Sequence, residues 1–171
     1  PHSGWDRVTF IELLNMAAGI GNNDPDPDST QYHADENQTP MGRWSRARTS
    51  SEKIEIATTE YGDYPWAPGE HFRYNSTHTF LLSAARDALV REREGVGLWP
   101  LLLDNVYRPI GIAHLPMMHT DHQEQDPSVP VMAVGLYPTV DDAIKIARLF
   151  DHLGLHDGVQ LLHPEVTKSM L

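Results

Sequence analysis

The chain has 171 residues, a length that predicts one domain or one lobe of a larger protein. Its 40% hydrophobic and 22% charged residues are typical of a folded globular protein, which argues against a wholly disordered chain. A net charge of −11 disfavours binding to nucleic acid or anionic lipid, and the absence of cysteine excludes disulfides, thiolate metal sites and cysteine nucleophiles.

No apolar run approaches the ~20 residues of a membrane-spanning helix, so we expect no membrane span. The sequence starts without methionine and without the pattern of a signal peptide, so we expect a processed or excised start. The compartment stays open between the cytoplasm and the periplasm or exterior.

Helices dominate the predicted elements. Capping boxes at Thr9 and Thr49 begin two short helices, the first closed by Gly19 and the second ending near residue 59. An amphipathic helix follows over 77–94, with Asp87 on its polar face, and further helices are predicted over 98–106, 139–153 and from Pro164 onward. Residues 158–162 suggest a short strand. These elements predict a mainly α fold with at most a short strand or hairpin.

We treat residues 1–171 as a single helical domain. Two stretches with little apolar periodicity interrupt it, residues 21–47 and residues 119–130, and both are predicted to be polar loops. Trp66 and Trp99 are interpreted as core or groove-wall aromatics.

Ser50 and Lys53 form an S-x-x-K pattern at the start of the second helix. One helical turn would bring the lysine amine beside the serine hydroxyl as its base. A four-residue pattern with only two fixed residues occurs often by chance. The alternative is therefore a helix cap followed by a solvated lysine.

Residues 68–76, PGEHFRYNS, place an aromatic hydroxyl at the mouth of the 77–94 helix, after a rigid Pro-Gly turn. This segment resembles P-G-x-x-F-x-Y-S-N, the second motif of the serine β-lactamase and penicillin-binding protein family, in the branch of class C β-lactamases, D-alanyl-D-alanine carboxypeptidases and esterases. Four further segments resemble family motifs in the family's order: residues 8–19, 107–112, 135–142 and 161–165.

The resemblance also identifies what is missing. In the family the S-x-x-K helix precedes the segment that corresponds to residues 8–19, whereas Ser50 follows it. The third motif, K-T-G or H-x-G, has no counterpart, because Lys168 is followed by Ser169 and Met170. The resemblance therefore implies the helical lobe of a β-lactamase/transpeptidase-like fold, without its nucleophile and its sheet motif.

The resemblance implies roles for three consecutive residues. Tyr74 takes the position of the catalytic tyrosine, which moves the proton of the nucleophilic serine. Because an ordinary phenol ionises only near about pH 10, that role requires a nearby lysine ammonium. Ser76 stands where the family has asparagine, which favours esterase-like or amidase-like chemistry over strict β-lactamase activity, and we expect Asn75 to contact substrate. Tyr74 as a helix-entry aromatic and Ser76 as an N-cap is the structural alternative.

Metal binding is only weakly indicated. Asp24, Asp26 and Asp28 have calcium-loop spacing, but prolines intervene. His119, Asp121 and His122 are weak zinc candidates, and a polar loop explains these residues better. We predict no metal site and no cofactor.

Two hypotheses follow. The first is the central helical part of a β-lactamase-like serine hydrolase, which acts on a small-molecule acyl substrate in the parent protein and is inactive alone. The alternative is a stand-alone, non-catalytic helical binding module. A lobe separated from its sheet would expose apolar surface, so we also expect a homo-oligomer.

Overall fold

A computed structural model describes residues 3–21 and 39–171 of the chain. The chain divides into two compact units. The first extends to Arg86 and includes His119–Val134, whereas the second comprises Asp87–Met118 and Gly135–Leu171. The predicted calcium-like residues Asp24, Asp26 and Asp28 lie outside the described residues.

The first unit is built from short helices and one two-stranded ladder. Its elements are a 3-10 turn (Ser3–Arg7), α1 (Phe10–Leu14), β1 (Ile20–Gly21), α2 (Pro40–Arg46), α3 (Ser50–Thr59), β2 (Gly62–Asp63) and the first half of α4 (Ser76–Glu94). Strands β1 and β2 are antiparallel, with Ile20 opposite Asp63 and Gly21 opposite Gly62. The capping boxes predicted at Thr9 and Thr49 are both formed.

Helix α1 ends earlier than its apolar pattern suggests. Its last residue is Leu14, and Met16 adopts a left-handed conformation with φ of 52°. The Ala17 amide then donates to the Glu12 carbonyl at 2.8 Å, which closes the helix before Gly19.

The prediction of a polar loop over 21–47 was wrong for Pro40–Arg46, which form α2. The Thr39 side chain accepts a hydrogen bond from the Gly42 amide at 3.0 Å, and Pro40 occupies the first helical position. Trp44 provides the buried anchor of this helix. Because the residues that precede α2 are polar, the sequence pattern did not indicate this helix or the burial of Trp44.

The core of the first unit surrounds two aromatic rings. Trp44 and Phe80 meet edge to face, with centroids 5.6 Å apart, and they pack with Ala57, Val129 and Val131. The two valines belong to the 119–130 region and its continuation. There the Thr120 amide donates to the Val129 carbonyl, in a hairpin-like loop that closes with bonds between Gln123 and Asp126.

The second unit has its own core, formed by Trp99, Ile110, Ile112, Leu115 and Leu149. Its elements are the second half of α4, α5 (Leu98–Leu102), a π-helical turn (Leu103–Tyr107), α6 (Val140–Asp151), β3 (Leu155–His156), β4 (Val159–Gln160) and α7 (Pro164–Ser169). Strands β3 and β4 form an antiparallel hairpin.

The polar face predicted for α4 was wrong at Asp87, which is buried. Its carboxylate accepts from the Leu98 amide at 2.7 Å and from Arg91 Nε at 2.6 Å. These two partners replace the water that the carboxylate loses on burial.

The mainly α prediction is confirmed. Helices make up 48% of the structure, and the described residues form only two short antiparallel strand pairs. Within the described ranges, none of the helices combines the length and the apolar character that crossing a bilayer requires.

Candidate functional site

Backbone hydrogen bonds hold the segment that leads to Tyr74 against the chain after α1. Three backbone hydrogen bonds of 2.8–2.9 Å extend the contact beyond the β1–β2 ladder. The amides of Tyr64, Gly69 and Arg73 donate to the carbonyls of Gly19, Ala17 and Met16, respectively. Tyr74 follows the last of these bonds directly. Its position therefore depends on contacts with residues more than fifty positions earlier in the chain.

Tyr74 lies at the N-terminal end of α4 and is 65% exposed. Its hydroxyl lies 3.3 Å from Ser76 Oγ, close enough for a hydrogen bond in which either oxygen can donate. The Tyr74 hydroxyl is therefore accessible to a bound molecule, which a phenol sealed in a core would not be.

Asn75, rather than Ser76, caps α4. Asn75 Oδ1 accepts a hydrogen bond from the Thr77 amide at 2.9 Å, and the Asn75 side chain is buried. The expected substrate contact of Asn75 stays a prediction, whereas Ser76 keeps its hydroxyl beside Tyr74.

Ser50 and Lys53 have different partners. The Ser50 hydroxyl donates to the Asp126 carboxylate, whereas Lys53 Nζ donates to the Trp44 carbonyl at 2.7 Å and lies 4.2 Å from the centroid of the Trp44 ring. Both residues are buried, at 5% and 6% exposure. Lys53 is therefore not a solvated lysine, and burial lowers the pKa of its amine.

Asp126 joins the 119–130 region to the start of α3. One carboxylate oxygen accepts from the Ser50 hydroxyl, and the other accepts from the Ser51 amide at 3.0 Å. Burial raises the pKa of this carboxyl, but the bonds from Ser50 and Ser51 outweigh that effect and hold the pKa below its ordinary value. Ser50 thus acts as part of a helix cap.

The weak zinc candidates are not brought together. Asp121 instead forms an ion pair with Arg48, whose Nε lies 2.8 Å from the carboxylate. Across residues 3–21 and 39–171, no three His, Cys, Asp or Glu side chains cluster in a way that could hold a metal ion.

His78, in the first turn of α4, is a buried titratable residue that the sequence pattern did not indicate. It is 1% exposed, and its Nε2 lies 2.7 Å from the Ile20 carbonyl of β1. Burial lowers the pKa of this imidazole. His78 therefore connects the β1–β2 ladder to the helix that carries Tyr74 at its entrance.

The described residues of the first unit line a larger and a smaller cavity, and Tyr74 is not among the lining residues of either one. The larger, of about 760 Å³, lies along α2 and α3 and has charged walls that include the ion pairs Arg43–Glu60 and Arg48–Asp121. The smaller, of about 220 Å³, is lined by Arg7, Asp63 and the aromatic segment that contains Trp66. Sequence analysis interpreted Trp66 as a core or groove-wall aromatic and singled out neither Arg7 nor Asp63.

Comparison with known proteins supports the fold. No protein-family model matches the sequence, and no curated protein matches it either. Among solved structures, the chain is similar to a protein described as a 6-aminohexanoate-dimer hydrolase from Bacillus anthracis, with a TM-score of 0.65, 19% identity, and coverage of 93% of this chain and 40% of the other.

A second similar structure is a protein described as a β-lactamase from Bacteroides dorei. Its TM-score is 0.54 at 20% identity, and the match covers 93% of this chain and 41% of the other. The chain thus has the fold of a helical lobe of β-lactamase-like proteins. It spans about 40% of the length of these structures.

Proposed function

We propose that the chain is the tyrosine-bearing helical part of a β-lactamase-like serine hydrolase. The observation that carries the proposal is Tyr74, an exposed phenol at the entrance of α4 whose hydroxyl lies 3.3 Å from Ser76 Oγ. The P-G-x-x-F-x-Y motif around Tyr74 and the likeness of the fold to two proteins described as hydrolases support the same reading.

In this proposal Tyr74 moves the proton of a serine nucleophile during transfer of an acyl group from a small ester, amide or β-lactam. Ser76 Oγ accepts from or donates to the phenol, which orients the Tyr74 proton during each transfer. A serine at this position has a shorter side chain than the amide it replaces and one hydroxyl in place of a separate donor and acceptor. This difference favours ester or linear amide substrates.

The nucleophile in this proposal lies outside the chain's own serine-lysine pattern. Ser50 donates to Asp126, and Lys53 is buried against Trp44, so neither is available to attack a substrate. We therefore propose that the chain is inactive by itself.

Covalent labelling tests this proposal. Intact-mass spectrometry of the chain after incubation with a fluorophosphonate, and separately with a β-lactam, should show no stoichiometric adduct. Unfolded protein is the control for intrinsic serine reactivity. A stoichiometric adduct on Ser50 in the folded chain would make Ser50 the nucleophile and would contradict the assignment of the nucleophile to another segment.

The role of Tyr74 has a separate test in the full-length parent protein. Replacing Tyr74 with Phe should lower kcat on a p-nitrophenyl ester by about a hundredfold or more, because general acid-base groups contribute about 10²–10⁴-fold. Ser76→Ala should cause a smaller loss. Unchanged turnover in Tyr74→Phe would favour the alternative, a non-catalytic binding module.

A further inference from the structure

Tyr74 lies between two hydrogen bonds that join the same pair of chain segments. Before Tyr74, the Arg73 amide donates to the Met16 carbonyl at 2.9 Å. After Tyr74, in the first turn of α4, His78 Nε2 lies 2.7 Å from the Ile20 carbonyl oxygen. Met16 and Ile20 belong to one short stretch that follows α1 and enters β1. The two bonds therefore hold the chain on both sides of Tyr74 against a single support.

The bond from His78 to Ile20 is buried, since each of these residues is 1% exposed. A carbonyl oxygen can only accept, so His78 Nε2 carries the proton and donates it. His78 Nδ1 is also buried, and it has no hydrogen-bond partner among the described residues. The neutral imidazole with its proton on Nε2 fits this environment. Loss of the bond would leave a carbonyl without this donor at a place that water does not reach.

Neighbouring contacts hold the first turn of α4 in the same place. The Thr77 hydroxyl lies 2.9 Å from the Tyr61 hydroxyl, and both residues are buried. The His78 ring meets the Trp5 ring edge to face, with centroids 6.4 Å apart. Packing and hydrogen bonding thus fix the imidazole together, and a first turn held in this way restricts the exposed residues that precede it.

We propose that His78 is a positioning residue for Tyr74, whose place at the entrance of α4 depends on the bond from His78 to the Ile20 carbonyl. His78 acts through the backbone and takes no part in proton transfer, because it is buried. The inference rests on the proposed function of Tyr74. A displacement of about 1 Å in a reacting group can cost about a hundredfold in rate, so the effect of His78 should appear in kcat rather than in KM.

Three variants separate positioning from a contribution to stability alone. His78→Leu keeps an apolar side chain and removes the donor, whereas His78→Gln keeps an N–H group that can donate to the Ile20 carbonyl. Ser83→Ala is the matched control. Ser83 also lies in α4, is buried and donates to a backbone carbonyl, that of Pro130, at 2.6 Å. Its loss should destabilise the same helix without releasing the helix entrance.

Amide hydrogen exchange of the folded 171-residue chain, followed by NMR, tests the positioning without any need for activity. The reporter is the Arg73 amide, whose bond to Met16 directly precedes Tyr74. We expect His78→Leu to speed exchange at Arg73 by about tenfold, because loss of a buried hydrogen bond raises the population of the locally open form. Exchange at Arg73 in His78→Gln and in Ser83→Ala should stay within about threefold of wild type.

Turnover of a p-nitrophenyl ester by the full-length parent protein provides the functional measurement. His78→Leu should lower kcat by about tenfold or more and change KM by less than about twofold. His78→Gln should restore kcat to within about threefold of wild type, and Ser83→Ala should leave kcat unchanged.

Three results would overturn the proposal. The first is equal exchange at Arg73 in His78→Leu and wild type. The second is an effect of Ser83→Ala on exchange or kcat that equals the effect of His78→Leu, which would make His78 a stabilising residue only. The third is a kcat in His78→Gln as low as that in His78→Leu, which would exclude the bond to Ile20 as the cause.

Failure of the proposed function is a separate outcome. Unchanged turnover in Tyr74→Phe would remove the catalytic role of Tyr74. The exchange rates at Arg73 would still decide whether His78 fixes the entrance of α4, since they are measured on the 171-residue chain without substrate.

Discussion

Asp126 should be one of the main stabilising residues of the first unit, and Asp126→Asn tests this with little change of shape. The substitution leaves one oxygen as an acceptor and places an amide donor near the second position. Either the Ser50 hydroxyl or the Ser51 amide, which lies 3.0 Å from the carboxylate, then loses its acceptor. The negative charge at the start of α3 also disappears.

The expected loss of stability can be worked from these contacts. A hydrogen bond to a charged group contributes about 1.5–3 kcal/mol, and a helix cap contributes about 1 kcal/mol. These two effects overlap at one carboxylate, so we expect Asp126→Asn to lower the free energy of unfolding by about 2 kcal/mol. For a chain of this length the loss corresponds to a fall in Tm of about 4–8 °C.

Urea and thermal unfolding followed by circular dichroism provide the measurement. Asp104→Asn is the matched control, since Asp104 pairs with Arg108 on an exposed surface and should contribute less than about 1 kcal/mol. Equal unfolding midpoints for Asp126→Asn and wild type would refute the assignment of Ser50 and Asp126 to a structural cap. They would also reopen the question of a catalytic Ser50.

The pH dependence gives the same prediction a second test. Because the folded-state pKa of Asp126 lies below its ordinary value of 3.8, its contribution is present above that value and is lost as the pH falls through the folded pKa. The difference in unfolding free energy between wild type and Asp126→Asn should therefore be constant near neutral pH and shrink below about pH 4. A difference that grows in acid would contradict the assigned charge state.

Three further predictions concern His78, Gly19 and self-association. Burial lowers the pKa of His78, so protonation below its ordinary pKa of 6.5 favours the unfolded chain. As the pH falls below 6.5, the free energy of unfolding of wild type should decrease relative to that of His78→Gln by up to about 1.4 kcal/mol per pH unit, measured by urea titration. Equal pH dependence of the two proteins would contradict this. Gly19→Ala should destabilise the chain by about 1–3 kcal/mol in the same assay, because φ is positive and the Pro68 backbone is in contact; an unchanged midpoint would argue against this close approach. Analytical ultracentrifugation should detect a dimer or larger species, since α1 exposes Phe10, Ile11 and Leu14, and a monomer at all concentrations would refute this expectation.

Features that depend on neighbouring residues could be predicted well from the sequence. The capping boxes at Thr9 and Thr49 join residues three positions apart, so their hydrogen bonds form whenever the local helix forms. The existence of α4 followed from its helical period in the same way, whereas its buried side, which includes Ser83 and Asp87 and not Ala88, did not. The mainly α fold and the placement of Tyr74 at a helix entrance followed from such local signals.

Features that depend on distant residues could not be predicted in this way. Asp126 accepts from Ser50 across 76 positions, and no local pattern marks either residue as the partner of the other. The same reason applies to Lys53, which the pattern S-x-x-K presented as a base and which the fold buries against Trp44.

The sequence by itself thus determined where helices begin and which residue types are available for chemistry, because capping and amphipathic periodicity act over a few residues. Only the tertiary structure decided which of those residues are free to react. It buried Ser50, Lys53 and His78, left Tyr74 exposed, and brought Arg7 and Asp63 to one pocket. Burial and charge pairing are set by chain segments that meet in space, and this information is distributed over the whole chain rather than over any single motif.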